Sequence, residues 1–303
     1  MADKTQFCVT IDTEGDAAVN PNSTYLGIHA VLPQYLALFD KYGIKATFFV
    51  QEDKICKAGS LFAATWKRLQ DQGHEIGYHA HGIIPSPQEE KDAVITQGIA
   101  KLRDTGLDIV SYRGGRFHMT GPLLHTLEKN GMRFDSSVVP GLREILQDGT
   151  ERCNHVGAPI APYFPSYKDH TQAGNSRILE LPINRYSSYP PDKWGGMMSG
   201  GSKEDILFDY FHRYRKDKII IMVLHIWGAL SYMIRDAVRE DRYGKVKKWA
   251  FHSLKRMIPS RRLNNGAALN FLENTIQHAI GHKDVRSVTM REAGENWLEE
   301  NRK

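Results

Sequence analysis

Cysteine is scarce in this chain. Of 303 residues three are cysteines, Cys8, Cys56 and Cys153, widely spaced and without a CxxC pair. An odd, scattered set argues against a disulfide framework and fits a reducing compartment. Long apolar runs are lacking too, and none reaches membrane-spanning length. The opening Met1–Gln6 has no basic segment followed by an apolar one, so no secretory leader is expected and a soluble, cytoplasmic protein is. A strong charge excess is also missing. The net charge of +5 is too mild to make the whole chain a nucleic-acid binder, and nucleic acid is not expected as a partner. Internal repeats and low-complexity tracts do not occur. What is present is 41% hydrophobic residues, enough for a sizeable core, over a length that suits two domains or one α/β barrel.

Short apolar runs alternate with helical periods about eight times. Phe7–Asp12, Lys45–Val50, the stretch ending at His79, Asp108–Tyr112, Phe134–Val138, Arg177–Ile183, Ile219–His225 and Val285–Met290 read as strands. Helices are expected over 29–42, 61–72, from Gln88 to about Gly106, about 120–130, 204–215, 267–280 and from Arg291 onward. Ile219–Leu224 is the most apolar run and reads as a strand buried on both faces. Residues 141–175 have little periodicity and cluster Pro159, Pro162 and Pro165 among aromatics. They read as a loop forming a lid or substrate wall. The whole predicts a parallel sheet with helices outside, a barrel or a doubly wound sheet.

Chemistry-bearing residues recur where these strands end. Asp12 and Glu14 follow the first, either as a shared carboxylate face or as an acidic turn around Gly15. The third ends in His79-Ala80-His81, whose imidazoles share a face if the backbone stays extended. Alone, that pair reads as a metal site or as two hydrogen-bonded loop histidines. Arg113-Gly114-Gly115-Arg116 follows the fourth, Asp135 lies near the end of the fifth, and His225 closes the most apolar strand. Polar groups collected at one mouth favour the barrel. Two histidines and a carboxylate suit a divalent metal, most simply zinc. A second carboxylate can take a proton from water, a histidine can protonate a leaving group, and an arginine can hold the base ionised. Asp12, Glu14, His79, His81, Arg113 and His225 can fill these roles in metal-assisted hydrolysis of an amide or ester.

A resemblance covers most of the chain. The order Thr10-Ile-Asp-Thr-Glu-Gly-Asp16, Ala46-Thr-Phe-Phe-Val50, Gly73-His-Glu-Ile-Gly-Tyr-His79, Tyr112-Arg113 and Leu224-His225 resembles the NodB-type polysaccharide deacetylases, carbohydrate esterase family four. The resemblance implies a distorted (β/α) barrel of seven or eight parallel strands and removal of acetyl groups from sugars by a metal held by one Asp and two His. Within the family, His79-Ala-His81, Arg113-Gly-Gly-Arg116, Asp135-Ser-Ser137 and Ala161-Pro-Tyr163 are similar to the branch associated with lipopolysaccharide and O-antigen biosynthesis. Three departures stand out. Thr13 occupies the position of the family's ligand Asp, which moves that role to Glu14 or, as the alternative, Asp16. Ile83 stands where the family has its second His, which moves that role to His81. Ile226 replaces the Asp that follows the family's last histidine.

The resemblance thus implies Asp12 as base, Arg113 orienting it, His225 assisting the leaving amine, and Glu14, His79 and His81 as metal ligands. Tyr112, Gly114, Gly115, Arg116, Phe117 and Asp135 would line the substrate groove. One domain over residues 1–303 is expected, with a loop insertion at about 141–175 and a basic insertion at about 227–265. The substrate would be an acetamido sugar of a surface-polysaccharide precursor, carried on a nucleotide or a lipid. The basic stretch 235–262 reads as a solvated helical face or as a peripheral contact with anionic membrane. The alternatives are a catalytically silent module binding glycan or membrane, and a hydrolase of a non-sugar amide.

Overall fold

The computed structural model describes residues 4–13, 31–51, 60–81, 83, 86–146, 148–185, 204–226 and 267–301. Glu14, Asp16 and the basic insertion at 227–265 lie outside them.

Eight parallel strands form the main sheet among the described residues: β1 (Thr5–Thr13), β2 (Thr47–Val50), β3 (Glu75–Ala80), β4 (Ser111–Gly114), β5 (Phe134–Asp135), β8 (Leu179–Glu180), β9 (Ile219–His225) and β10 (Val285–Ser287). The strands β6 (Arg143–Ile145) and β7 (Glu151–Asn154) make a separate antiparallel pair. The helices are α1 (Leu32–Tyr42), α2 (Ser60–Asp71), α3 (Gln88–Asp104), α4 (Gly121–Lys129), α5 (Glu204–Tyr214), α6 (Ala267–Gly281) and α7 (Met290–Glu300). β1 is shared three ways. β9 runs along one edge from Gln6 to Asp12, while β10 takes the first half of the other edge and β2 the second. From β2 the sheet curls through β3, β4 and β5 to β8. This is the distorted (β/α) barrel that the resemblance implies, and its parallel strands are those that the alternating pattern predicts.

Side-chain parity sorts the core into two layers. Phe7, Val9 and Ile11 of β1, with Ile220, Met222 and Leu224 of β9, pack outward beneath the helices. Cys8 and the odd-numbered Ile219, Ile221 and Val223 point inward, together with Phe49, Phe134, Leu179 and Met290. A strand buried on both faces needs an unbroken apolar run, and β9 supplies it. The floor of the barrel is polar. Glu75 accepts hydrogen bonds from Thr47 Oγ1 at 2.8 Å, from Ser111 Oγ, and from the Arg291 backbone at 2.9 Å. Glu75 therefore receives α7, whose first turn is closed by a Thr289–Glu292 capping box.

Between β8 and β9 no ladder forms among the described residues. Asn184 spans that gap, donating from Nδ2 to the Ile219 carbonyl at 3.1 Å and accepting from the Ile221 N–H through Oδ1. One buried amide thus does the work of a short strand pair.

Three expectations change here. β4 lies at 111–114 rather than 108–112, which carries Arg113 and Gly114 into the ladder. Residues 141–175 are not a structureless loop. They hold the β6–β7 pair and two antiparallel bridges, Tyr163 with Glu180 and Pro165 with Ala173. They are also tied down by buried His155, whose Nδ1 accepts from the Val139 N–H at 3.0 Å. The ends of β5 and β8 likewise stop short of the expected spans.

Asn184→Ala is expected to lower unfolding stability by ~1–3 kcal/mol, since it leaves the Ile219 carbonyl and Ile221 N–H without that partner. Urea unfolding measures it, and an unchanged midpoint would contradict the closing role.

Candidate active site

The carboxyl end of the sheet gathers the predicted residues. On β1 the inward parity of Cys8 continues through Thr10 to Asp12, which is almost fully buried. Asp12 is in register with His225 on β9, so both side chains emerge at the same level. Asp12 Oδ2 lies 3.8 Å from His225 Nε2, and Asp12 Oδ1 accepts from Arg113 Nη1 at 2.9 Å.

Arg113 is wholly buried. Its Nη1 also donates to Thr10 Oγ1 at 2.8 Å, its Nε to the Ser136 carbonyl at 2.9 Å, and its Nη2 to Ser136 Oγ at 3.1 Å. The guanidinium sits 4.3 Å from the Phe49 ring centroid. Gly77 makes room for that ring, because a Cβ there would come within 2.8 Å of it. The planar fork meets carboxylate, hydroxyl and carbonyl at once, a pattern that lysine cannot copy.

The Arg113 carbonyl reaches β3. It lies 2.8 Å from His79 Nδ1, and a carbonyl can only accept, so Nδ1 carries the proton. In the neutral ring His79 Nε2 then presents a lone pair. It faces His81 Nε2 at 3.0 Å. Tetrahedral zinc with Zn–N bonds of ~2.0–2.1 Å places its ligand atoms ~3.3 Å apart, so this spacing suits one ion. The tautomer is the one that ligating histidines adopt when a carbonyl holds the other nitrogen. Glu14, the expected third ligand, lies outside the described residues. Thr13 is committed elsewhere, since its hydroxyl donates to the Phe49 carbonyl at 2.8 Å.

Gly114 closes β4, and Gly115–Phe117 form a 3-10 turn against the histidines. A Cβ on Gly115 would lie 2.4 Å from His81 Cδ2 and 2.6 Å from the Ala80 carbonyl oxygen, so glycine is required for the imidazole to sit where it does. Arg116 and Phe117 adopt left-handed φ of 56° and 58°, each costing ~1–3 kcal/mol. The turn leaves Arg116 exposed and Phe117 half-buried at the rim.

Two expected groove residues are not brought to the mouth by their side chains. Tyr112 has the outward parity of β4, and its ring packs 5.8 Å from that of Tyr78 in the layer under the helices. Asp135 is fully buried and hydrogen-bonded to Ser137 Oγ at 2.5 Å and to Glu180, its neighbour in register on β8. Burial pushes both carboxyls up, Glu180 well above the usual range with Asp135 adding to the rise. Ser137 passes the contact on, because its Oγ accepts from the Gly114 N–H at 2.8 Å.

Sequence reasoning missed Thr10, Phe49, Ser136 and Glu180. Thr10 carried a signal, the same parity as Asp12 two residues on. His74 and Glu75, within the Gly73–His79 segment of the resemblance, serve the scaffold. His74 Nδ1 accepts from the Ala46 N–H at 3.1 Å, and burial lowers its pKa to about 4.

Residues 18–105 match the family model described as polysaccharide deacetylase. Structural similarity extends over nearly the whole chain. A candidate polysaccharide deacetylase of Mycobacterium smegmatis superposes with a TM-score of 0.62 at 17% identity, over 98% of this chain and 92% of that one. The fold is that of the polysaccharide deacetylases. A second candidate deacetylase, from Pseudomonas aeruginosa PAO1, gives a TM-score of 0.58 at 15% identity over 99% and 93% of the two chains. PuuE allantoinase gives 0.60 at 14% identity over 99% and 92%. No curated protein matches the sequence. Among the described residues no helix is long and apolar enough to cross a membrane.

Glu180→Gln keeps the shape and the donor to Asp135 but cannot titrate. A carboxyl with a raised folded pKa keeps its proton in the fold and loses it on unfolding, so its contribution falls as pH rises above the ordinary carboxylate range. The variant should therefore gain on the parent by up to ~1.4 kcal/mol per pH unit between about pH 5 and about pH 7. Parallel urea curves at the two pH values would show the titration to be absent.

Proposed function

We propose that the protein is a metal-dependent carbohydrate deacetylase that hydrolyses the acetamide of a sugar in a surface-polysaccharide precursor. One observation carries it: the Arg113 carbonyl fixes His79 as the Nδ1–H tautomer and turns its Nε2 towards His81 Nε2, 3.0 Å away. His79 and His81, with Glu14, would hold a divalent ion, for which zinc suits the donors. When bound, the ion polarises the acetyl carbonyl and activates water near neutral pH.

The chain's own residues supply the rest. Asp12, oriented by Arg113 Nη1, accepts the proton of the attacking water on Oδ2. His225 Nε2 faces that oxygen and gives a proton to the departing amine as the C–N bond breaks. The products are acetate and the free amino sugar. The Gly114–Gly115 backbone, Phe117 and the rim would form the groove wall. Arg116, exposed there, suits a phosphate of a nucleotide or lipid carrier. The family resemblance of the His79-Ala-His81 and Arg113-Gly-Gly-Arg116 segments supports the branch and, with it, a cytoplasmic site of action. A contact of residues 235–262 with anionic membrane belongs to the same reading.

The similarity to an allantoinase favours a second reading, hydrolysis of a non-sugar amide by the same groups.

Elemental analysis and acetate release on acetamido sugars test the proposal. His79→Ala should lose the mouth metal and all turnover. Asp12→Asn should keep metal and lose at least ~100-fold in kcat. Acetate release that survives His79→Ala at the parent rate would refute it, and turnover of allantoin alone would select the second reading.

Gly115→Ala should push His81 aside and weaken zinc binding at the mouth by ~10-fold or more while the fold survives. Calorimetric zinc titration reads the change, and parental affinity would show that His81 is no ligand.

A further inference from the structure

At the opposite end of the barrel α5 packs against α6, and three histidines and two aspartates gather at their seam. Asp209 and His212 lie three residues apart on α5 and so share a face. His278 lies in the last turn of α6, His282 just beyond it, and Asp284 just before β10. His278 Nε2 is 2.7 Å from Asp209 Oδ1, and His282 Nε2 is 3.7 Å from the same oxygen. His212 Nε2 is 3.3 Å from Asp284 Oδ2. The donor atoms of Asp209, His278 and His282 all lie within 4.8 Å of one another, and so do those of His212, His282 and Asp284.

We propose that this cluster is a second divalent-metal site, of zinc-like preference, that staples α5 to α6. The donors are imidazole nitrogens and carboxylate oxygens, the set that zinc accepts. Spacings of 3.3 and 3.7 Å sit close to the ~3.3 Å edge of a tetrahedral zinc site. His282 belongs to both triads, so a single ion is expected. The outer contacts are also in place. His212 Nδ1 is 3.0 Å from Thr5 Oγ1, which sets the ring and leaves Nε2 for the site. Buried Phe208 forms an apolar floor, its ring 5.6 to 5.8 Å from the three imidazoles. His212 and His278 stand 4.9 and 5.3 Å from His282.

The site is distinct from the mouth. β1 runs from Thr5, beneath His212, to Asp12, a rise of ~23 Å at 3.3 Å per residue. An ion here would tie together residues distant in sequence on either side of β9, and its gain would be in stability rather than in chemistry.

The test uses the full chain, stripped with chelator and titrated with zinc against a competing indicator, with melting followed in parallel. In a His79→Ala, His81→Ala background about one equivalent should still bind, with half-saturation at about 1 µM or below, and should raise the melting temperature. Adding His278→Gln and His282→Gln should abolish both effects. In the otherwise unaltered chain His278→Gln, His282→Gln should lose one equivalent, a readout independent of whether the mouth variant folds. Retention of that equivalent, or half-saturation above about 1 µM, overturns the site. A parent that binds one zinc, kept in His79→Ala, His81→Ala and lost in His278→Gln, His282→Gln, would uphold this site while refuting the mouth metal.

Discussion

A guanidinium with no access to water is the constraint around which the barrel closes. Removing Arg113 from solvent costs several kcal/mol, which only complete pairing offsets. The pairing comes from four residues on three segments at once: Thr10 and Asp12 on β1, Phe49 on β2, and Ser136 beyond β5. Each is in reach only when the strands lie in their observed register. The same residue's carbonyl orients His79. Asp12 and His79, the proposed base and proposed metal ligand, are therefore positioned by one side chain and one peptide of a single residue, and the fold cannot relax without disturbing both.

The parts of this arrangement that were legible in the sequence are those set by local period. Ile219–His225 could be read to the residue, because a strand buried on both faces must be apolar throughout. His79 and His81 were legible as a pair for the same kind of reason. What was hidden depends on parity and on distant partners. The strand expected to close with Tyr112 extends to Gly114, and the alternation of β4 turns Arg113 inward and Tyr112 outward. A one-residue change of face reverses the role of every side chain it moves. Asp135 could be seen near a strand end, but not its neighbour Glu180, forty-five residues on and visible only once β5 and β8 pair. Residues 141–175 looked irregular because their order comes from bridges and from buried His155 rather than from any period.

Glycine marks the places where this packing is tightest. Gly77 admits the Phe49 ring beneath the guanidinium, and Gly115 admits the His81 ring beside His79. Both lie in segments where a side chain would otherwise be expected. The cost recurs next door, in the left-handed backbone of Arg116 and Phe117. Strain of this kind persists where the surroundings over-determine the chain. Here the β6–β7 segment meets the turn, with His118 Nδ1 3.1 Å from the Arg152 carbonyl, and helps to hold it.

Charge balance accords with the upward push that burial gives the Asp135 and Glu180 carboxyls. Both carboxyls feel Arg113. Asp12 already supplies the counter-charge that the guanidinium meets directly. Were both other carboxyls ionised, two more negative charges would face each other in the dry interior and compete with Asp12 for the same cation. A guanidinium drawn towards β8 would lose its geometry on Asp12, and the Arg113 peptide would carry His79 with it. A proton retained between Asp135 and Glu180 would leave Ser137 and the Gly114 N–H linked to a carboxyl that competes less strongly. A protonated pair would in this way leave Arg113 committed to Asp12.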